Sequence, residues 1–233
     1  MKSIEVIAVP GIPEIEPGDQ IADSILQALE QSPIELTKGD LLVVTHKIVS
    51  KAEGRVVDSG DDATYRAAVE EEAQAILRRR GDLTIARTHH GFICANAGVD
   101  RSNVPSGRAV LLPLNPDRSA HSIRMQLRRA TGIDVPVIIS DTFGRPWRRG
   151  QTDIAIGVSG MEAIADFKGK PDGNGRIMEA TEIAIIDEIA SAADLVMGKA
   201  DHIPVAIVRG VAWEPGEARA IDLVRPPGED LFR

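Results

Sequence analysis

Residues 140–153, with the sequence SDTFGRPWRRGQTD, combine oxygen ligands and cations within one short stretch. They follow an apolar run at residues 135–139 that is typical of a buried strand, so the carboxylate of Asp141 would lie where the chain leaves a sheet. Gly144 and Pro146 then predict a turn. The same stretch carries three guanidinium groups, those of Arg145, Arg148 and Arg149. A carboxylate suited to a divalent cation, beside cations suited to phosphate, favours a nucleotide site, although a basic surface turn fits these residues equally well.

A second cation-rich stretch, residues 45–51 (THKIVSK), follows a predicted buried strand at residues 41–44. As a continuation of that strand, it would place Lys47 and Lys51 on one face, because side chains alternate along a strand. Two ammonium groups beside hydroxyls suit the oxygens of a polyphosphate. A solvated basic edge that discourages aggregation is the competing interpretation.

Two further turns could complete such a site. The turn at residues 98–103 carries Asp100 and Asn103, and Asp100 and Asp141 could together hold a pair of Mg²⁺ or Mn²⁺ ions that bridge phosphates. An Asx-turn that needs no ligand explains the same residues. The loop at residues 10–15 (PGIPEI) is stiffened by two prolines, so it could clamp a base or ribose, or could be an ordinary connection.

Composition argues against several other classes of function. The 233 residues carry a formal net charge of −8, which disfavours binding to nucleic acid or to an anionic membrane. The one cysteine, Cys94, cannot build a disulfide or a thiolate zinc site, and it lies in an apolar run where we expect burial. The five histidines lack zinc-protease spacing, and no Rossmann or P-loop string occurs. With no signal-peptide pattern and no bilayer-length apolar run, we expect a cytoplasmic protein.

Predicted strands and helices follow one another without a steady βαβ alternation. This order favours an α+β fold, with mixed or largely antiparallel sheets and flanking helices, over a doubly wound parallel sheet. Residues 63–80 are rich in Ala, Glu and Arg, follow Asp61 and Asp62, and precede Gly81, which predicts one long helix. On this interpretation the arginines at residues 78–80 stabilise the helix end and bind no ligand.

In combination these segments resemble one family, the coenzyme F420-0:L-glutamate ligases, also called gamma-glutamyl ligases, which finish the tail of the deazaflavin coenzyme F420. The resemblance covers essentially the whole chain. It is carried, in order, by residues 11–14, 43–55, 97–104, 140–153, 187–195 and 204–210. Several long strings in the right order are a far more specific signal than any one of them.

The resemblance implies a GTP-dependent ligase that joins L-glutamate to coenzyme F420-0, and that could add further gamma-linked glutamates. It implies Mg²⁺ or Mn²⁺, and K⁺, as cofactors. The metal-binding positions that it implies are Asp100, Asp141 and Thr142. The nucleotide-binding positions that it implies are Ile12, Pro13, Glu14, Ile15, His46, Lys51 and Asn103. Asp201 is not assigned to the metal, because residues 198–204 are shorter here than in some archaeal relatives.

A ligase of this kind must activate a carboxylate, and the residue types fit phosphoryl activation through an acyl phosphate. The predicted catalytic residues are Asp100, Asp141, Lys51 and Arg145. From the residues alone two other functions stay open, a metal-dependent nucleotide hydrolase and a non-catalytic nucleotide-binding subunit. The resemblance further implies an intertwined homodimer. We expect one domain over residues 1–233, divided at most into two subdomains, without the C-terminal nitroreductase-like domain of some actinobacterial relatives.

Overall fold

The computed structural model of the chain describes residues 2–230. Its α-helices are α1 (Ile21–Glu30), α2 (His46–Ala52), α3 (Asp62–Glu72), α4 (Pro116–Thr131) and α5 (Ile185–Met197). Its strands are β1 (Glu5–Ala8), β2 (Leu41–Thr45), β3 (Val56–Asp58), β4 (Ala73–Arg80), β5 (Leu83–Thr88), β6 (Ile93–Ala95), β7 (Arg108–Val110), β8 (Val137–Arg145), β9 (Arg148–Ser159), β10 (Ala165–Asp166), β11 (Glu182–Ile183) and β12 (Val205–Arg209). Short 3-10 turns lie at Asn96–Gly98, Ala220–Leu223 and Pro227–Glu229.

A five-stranded mixed sheet in the order β1-β12-β2-β8-β9 forms the centre of the fold. The neighbours β2 and β8 run parallel, and the other pairs in this sheet are antiparallel. Strand β2 is apolar along most of its length because both of its faces are covered: Leu42 and Val44 join one core cluster, and Leu41 and Val43 join another. The mixed sheet with helices beside it confirms the predicted α+β class.

Helices α1, α2 and α4 pack on one face of this sheet, and α5 packs on the other. Asn115 caps α4 by accepting a hydrogen bond from the backbone N–H of Arg118, and Gly132 ends the helix in the left-handed conformation, with φ +74°. Two apolar layers therefore hold the central strands and fix where those strands end. Among residues 2–230, no helix is long and apolar enough to cross a bilayer.

Three smaller sheets surround the central one, and they pair β3 with β7, β4 with β5 and β6, and β10 with β11. A separate apolar cluster that includes Val69, Ala86 and Leu111 supports this part of the chain. Cys94 in β6 is buried as predicted. Its burial, together with the negative charge of nearby Asp141, raises the pKa of the thiol to about 12.

The predicted helix at residues 63–80 is wrong beyond residue 72. Helix α3 begins as predicted, with the side chain of Asp61 accepting a hydrogen bond from the backbone N–H of Thr64. From Ala73 onwards the chain is strand β4, which pairs antiparallel with β5 in a hairpin. In helix α3 only Val69 is buried, so the helix has little apolar surface to stabilise it by packing. Pairing with β5 therefore outweighs the helix propensity of residues 73–80. The arginines at residues 78–80 therefore lie in a strand.

The predicted strand continuation at residues 45–51 is also wrong, because β2 ends at Thr45 and α2 begins at His46. Helical geometry nevertheless brings together the same pair of lysines. Residues four apart are neighbours on a helix surface, so Lys47 and Lys51 still share one face. That face borders the cavity described next.

Candidate functional site

A cavity of about 500 Å³ lies where the parallel strands β2 and β8 end side by side. Five parts of the chain line it: the loop after β1, the end of β2 with the face of α2, the turn at residues 103–105, the paired strands β8 and β9, and the chain from the end of α5 to the start of β12. Eight of the sequence-predicted site residues line this cavity: Ile12, Pro13, Glu14, Ile15, Lys51, Asn103, Asp141 and Thr142. Segments far apart in sequence thus converge on one opening.

The loop after β1 supplies an apolar wall and one carboxylate. Gly11 has φ +84°, a conformation that favours glycine, where the chain turns away from β1. Ile15 is buried and anchors the loop in the core, whereas Glu14 is exposed. Glu14 accepts a hydrogen bond from the ammonium of Lys51, which lies in the last turn of α2. The lysine expected to bind phosphate is therefore bound to a carboxylate in this structure.

Asp100 lies beside the cavity and binds the next lysine, Lys47. The Nζ of Lys47 is 2.7 Å from Oδ2 of Asp100, and Lys47 itself lines the cavity. The backbone N–H and the hydroxyl of Ser102 also donate to Asp100, each at 2.7 Å, as the Asx-turn interpretation predicts. Partial burial raises the pKa of Asp100, but the bonds from Lys47 and Ser102 outweigh burial and hold that pKa below its usual value.

Asp141 lines the cavity at the end of the buried part of β8. Its side chain is 12% exposed, and its Oδ1 accepts a hydrogen bond from the backbone N–H of Thr142. His46 is fully buried and contacts Asp141 from the protein interior, with Nε2 3.2 Å from Oδ1 but with no well-aligned hydrogen bond. The Nδ1 of His46 lies 3.3 Å from the hydroxyl of Ser50. The His46 side chain therefore supports Asp141 and does not line the cavity.

Sequence reasoning did not assign three charged residues that line the cavity: Asp153, Asp194 and Lys199. Strand pairing places Asp153 opposite Thr142, whose hydroxyl donates to it at 2.6 Å. The hydroxyl of Ser140 donates to Asp153 at 2.9 Å. The ammonium of Lys199 donates to the hydroxyl of Thr142 at 2.8 Å and to Asp153 at 3.0 Å. It also donates to Asp194 at 2.6 Å, so one ammonium binds three oxygens.

The contacts of Lys199 determine the charge of its side chain. Partial burial lowers the pKa of Lys199, but the hydrogen bonds that its ammonium donates to Asp194 and Asp153 outweigh burial and raise that pKa above its usual value. Lys199 is therefore a cation at neutral pH.

The amide of Asn103 donates a hydrogen bond to the backbone carbonyl of Lys199 at 3.4 Å, which joins the turn at residues 103–105 to the segment after α5.

The arginines of residues 140–153 lie outside the cavity. They flank the tip of the β8–β9 hairpin, where Trp147 adopts φ +63°. The guanidinium of Arg145 donates to the backbone carbonyl of Arg149 at 2.7 Å. The structure thus separates Arg145 from the carboxylates with which it was grouped. Asp201 does not line the cavity either.

The donor set fits a divalent cation that is only partly held by protein. Among residues 2–230, no three His, Cys, Asp or Glu side chains are gathered closely enough to hold an ion by themselves. The oxygens of Asp141, Thr142 and Asp153 are nevertheless hard ligands that line the same cavity. Mg²⁺ is commonly bound through one or two carboxylates, with phosphate oxygens and water completing its shell. The arrangement therefore suits a metal ion that arrives with a nucleotide.

A second cavity, of about 730 Å³, lies near the opposite end of the central sheet. Its lining includes Ser159, which pairs with Val137 at the start of β8, together with His90, Arg118 and His121. None of the sequence-predicted site residues lines it. The predicted site residues that line a cavity therefore all line the first one.

Comparison with known proteins shows which family the chain resembles over nearly its whole length. The family profile described as F420-0:Gamma-glutamyl ligase matches residues 11–210. A coenzyme F420:L-glutamate ligase from Methanothermobacter thermautotrophicus is 42% identical, over 99% of this chain and 99% of its own length. Proteins of the same name from Methanocaldococcus jannaschii and Methanopyrus kandleri are 42% and 40% identical; each alignment covers 100% of this chain, and 98% and 99% of the respective relative. Likeness of this extent establishes membership: the chain belongs to the F420-0:gamma-glutamyl ligase family.

Proposed function

We propose that this chain ligates L-glutamate to coenzyme F420-0, with GTP as the phosphoryl donor, through an acyl-phosphate intermediate. The relatives' name, coenzyme F420:L-glutamate ligase, supports the substrates. The observation that carries the chemistry is the first cavity, where three lysines and several carboxylates face one space at the ends of β2 and β8. Ammonium groups suit phosphate oxygens and carboxylates suit a divalent cation, so the cavity offers both halves of a nucleotide–metal site.

In this proposal the apolar loop after β1 and the turn at residues 103–105 hold the base and ribose. The lysines of α2 and Lys199 bind polyphosphate oxygens. Asp141 and Thr142, with Asp100 at the rim, provide oxygens for Mg²⁺ or Mn²⁺, which when bound would neutralise charge on the phosphates. K⁺ completes the proposed cofactors.

The ligation proceeds in two chemical steps. A terminal carboxylate oxygen of F420-0 attacks the γ-phosphorus of GTP, the bond to the β–γ bridging oxygen breaks, and GDP leaves. The neutral amine of L-glutamate then attacks the acyl carbon, phosphate departs with the former carboxylate oxygen, and the amine loses a proton as the amide forms. The protein orients the two reactants and stabilises the phosphate charge, and no side chain needs to act as a covalent nucleophile.

One assay separates this function from its alternatives. The protein is incubated with GTP, Mg²⁺ or Mn²⁺, L-glutamate and F420-0, and product mass and phosphate are followed, with each substrate omitted in turn. Ligation predicts a product heavier by one glutamyl residue, and one phosphate released per amide formed. Phosphate release that does not need L-glutamate or F420-0 would instead indicate a nucleotide hydrolase. Nucleotide binding without turnover would indicate a non-catalytic subunit.

We also infer that the active form is a homodimer. On the outer face of the β4–β5–β6 sheet, Leu83 and Ile93 are exposed, at 44% and 41%. Leu77 in β4 is 45% exposed. Exposed apolar side chains on a sheet face are a common site of association, and a two-fold partner is the commonest way to cover them.

A further inference from the structure

Each lysine that lines the first cavity is bound to a carboxylate of the same site. Lys47 binds Asp100 at 2.7 Å, and Lys51 binds Glu14. Lys199 binds Asp194 and Asp153, and also the hydroxyl of Thr142. Lys47 therefore binds Asp100, and Lys199 binds Thr142, two residues whose oxygens the proposed function assigns to a divalent cation. Lys199 also binds Asp153, which is hydrogen-bonded to Thr142.

An ammonium and a divalent cation compete for the same oxygens. The ammonium of Lys199 donates hydrogen bonds to three oxygens at 2.6–3.0 Å, and the ammonium of Lys47 binds an oxygen of Asp100. A metal ion bound to those oxygens would lie within a few ångströms of an ammonium, where like charges repel. Metal entry thus requires the lysines to leave, and departure is costly unless the ammonium finds another anion.

A polyphosphate is such an anion, and it arrives in the same space. The side chain of Lys199 is 60% exposed, and that of Lys47, although only 17% exposed, lies on the cavity face of α2, so each ammonium is within reach of a ligand in the cavity. Exchange of a carboxylate partner for a phosphate partner keeps every charge paired throughout. The carboxylates become available at the moment when the lysines gain a new partner.

We propose that Lys47 and Lys199 are positioning residues that act as built-in counter-cations and make divalent-metal binding depend on the nucleotide. In the ligand-free protein they hold the site closed to free metal ions. When the nucleotide binds, its phosphates take the two ammoniums, and Asp100, Asp153 and Thr142 are released toward the metal. The inference rests on the proposed nucleotide–metal function and adds an order to it, in which the metal does not bind first.

Mn²⁺ binding tests this directly, because the paramagnetic signal of free Mn²⁺ disappears when the ion binds. Wild type, Lys47→Met and Lys199→Met are titrated with Mn²⁺, without nucleotide and with a non-hydrolysable GTP analogue. Methionine keeps most of the side-chain length and removes the charge. The matched control is Lys168→Met, because Lys168 forms an exposed pair with Glu182, at 2.6 Å, that does not line the cavity.

The two cavity variants should bind Mn²⁺ alone about tenfold more tightly than wild type, since one charge-assisted contact per ion is no longer in competition. The same variants should bind the GTP analogue about tenfold more weakly, because a phosphate contact is lost. Lys168→Met should change neither constant. Opposite shifts for metal and nucleotide are a result that a purely structural ion pair would not produce.

Unchanged or weaker Mn²⁺ binding by both variants, while wild type binds Mn²⁺ with the analogue, would overturn the inference and leave the proposed function standing. A wild-type protein that takes up no Mn²⁺ even with the analogue would overturn both. Thermal unfolding confirms that each variant is folded. If Lys47→Met does not fold, Lys47→Gln, which keeps a hydrogen-bond donor without the charge, should show the same tighter Mn²⁺ binding.

Discussion

At the scale of single residues, the proposed chemistry depends most on Asp141. Its carboxylate lines the cavity with 12% of its side chain exposed, and His46 supports it from the interior. Asp141→Asn keeps the shape and removes the charge, so ligation should fall about 100-fold or more, as for other lost electrostatic contacts in the transition state. Turnover at limiting metal is the measurement.

Asp82→Asn is the matched control, because that carboxylate is 93% exposed and pairs with Arg66 away from the cavity. The control should leave turnover unchanged. Asp100→Asn should resemble Asp141→Asn, and the double variant should be little worse than either single one, since the two act as a unit. Near wild-type turnover of Asp141→Asn at limiting metal would remove Asp141 from the metal site.

Lys51→Ala should weaken GTP binding more than binding of L-glutamate. The ammonium of Lys51 faces the cavity from α2 and is expected to bind polyphosphate, which offers several anionic oxygens. Titration of both ligands against wild type measures the two effects. Equal affinity for GTP in variant and wild type would return Lys51 to the role of a surface partner for Glu14.

The residues that sequence reasoning missed share one physical property. Asp141 and Lys51 lie in local strings that already suggest phosphate or metal chemistry. Lys199 lies 57 residues from its partner Thr142, and Asp153 lies in a different strand, so both contacts exist only through the tertiary fold. The register of a β8–β9 hairpin, turned at residues 146–147, was the available signal for Asp153. No local pattern marks Lys199 as a partner of those oxygens.

At the scale of elements, strand β9 and helix α4 fit together through a glycine. A Cβ on Gly157 would lie 2.5–2.7 Å from Pro116, including its backbone carbonyl group, which a side-chain rotation cannot relieve. Gly157→Ala should therefore lower the free energy of unfolding by about 1–3 kcal/mol, as overpacking does elsewhere. Urea denaturation measures the change.

Gly144→Ala is the control within the neighbouring strand β8, because a Cβ there would meet nothing within 4 Å and the glycine does not need a left-handed conformation. It should be close to neutral. Equal stability of Gly157→Ala and wild type would show that α4 can shift away from β9.

Elements could be predicted where the apolar pattern agreed with the capping and turn residues, and not where the two conflicted. Strand β2 is an apolar run covered on both faces, and it was predicted from that run; in α4 the cap and the terminal glycine are local signals of the same kind. Residues 73–80 have helix-favouring composition but form β4, because the backbone partner that decides their state is β5, which comes later in the chain. Residues 46–52 form a helix that begins directly at the end of a strand, without the side-chain cap that would have marked it.

At the scale of the whole molecule, the exposed face of the β4–β5–β6 sheet predicts a dimer. Light scattering should report about twice the chain mass of 25.0 kDa at micromolar concentration. If the interface is intertwined, unfolding and dissociation should be one transition whose midpoint rises with protein concentration. A folded monomer at micromolar concentration would contradict the dimer.

Leu83→Glu places a charge on the outer face of that sheet, where a monomer would tolerate it because the side chain is 44% exposed. The variant should therefore shift the protein toward monomer. Lys38→Glu, an exposed change outside this sheet, should leave the mass unchanged.

The most direct test of the proposed ligase is the fate of one oxygen atom. F420-0 labelled with ¹⁸O in its terminal carboxylate is incubated with the protein, GTP, Mg²⁺ and L-glutamate, and the amide product and the phosphate are analysed by mass spectrometry. The proposed mechanism predicts a product with one more glutamyl residue and one ¹⁸O atom in the phosphate released with it. Formation of the amide with unlabelled phosphate would contradict the acyl phosphate, and phosphate without amide would contradict the ligase.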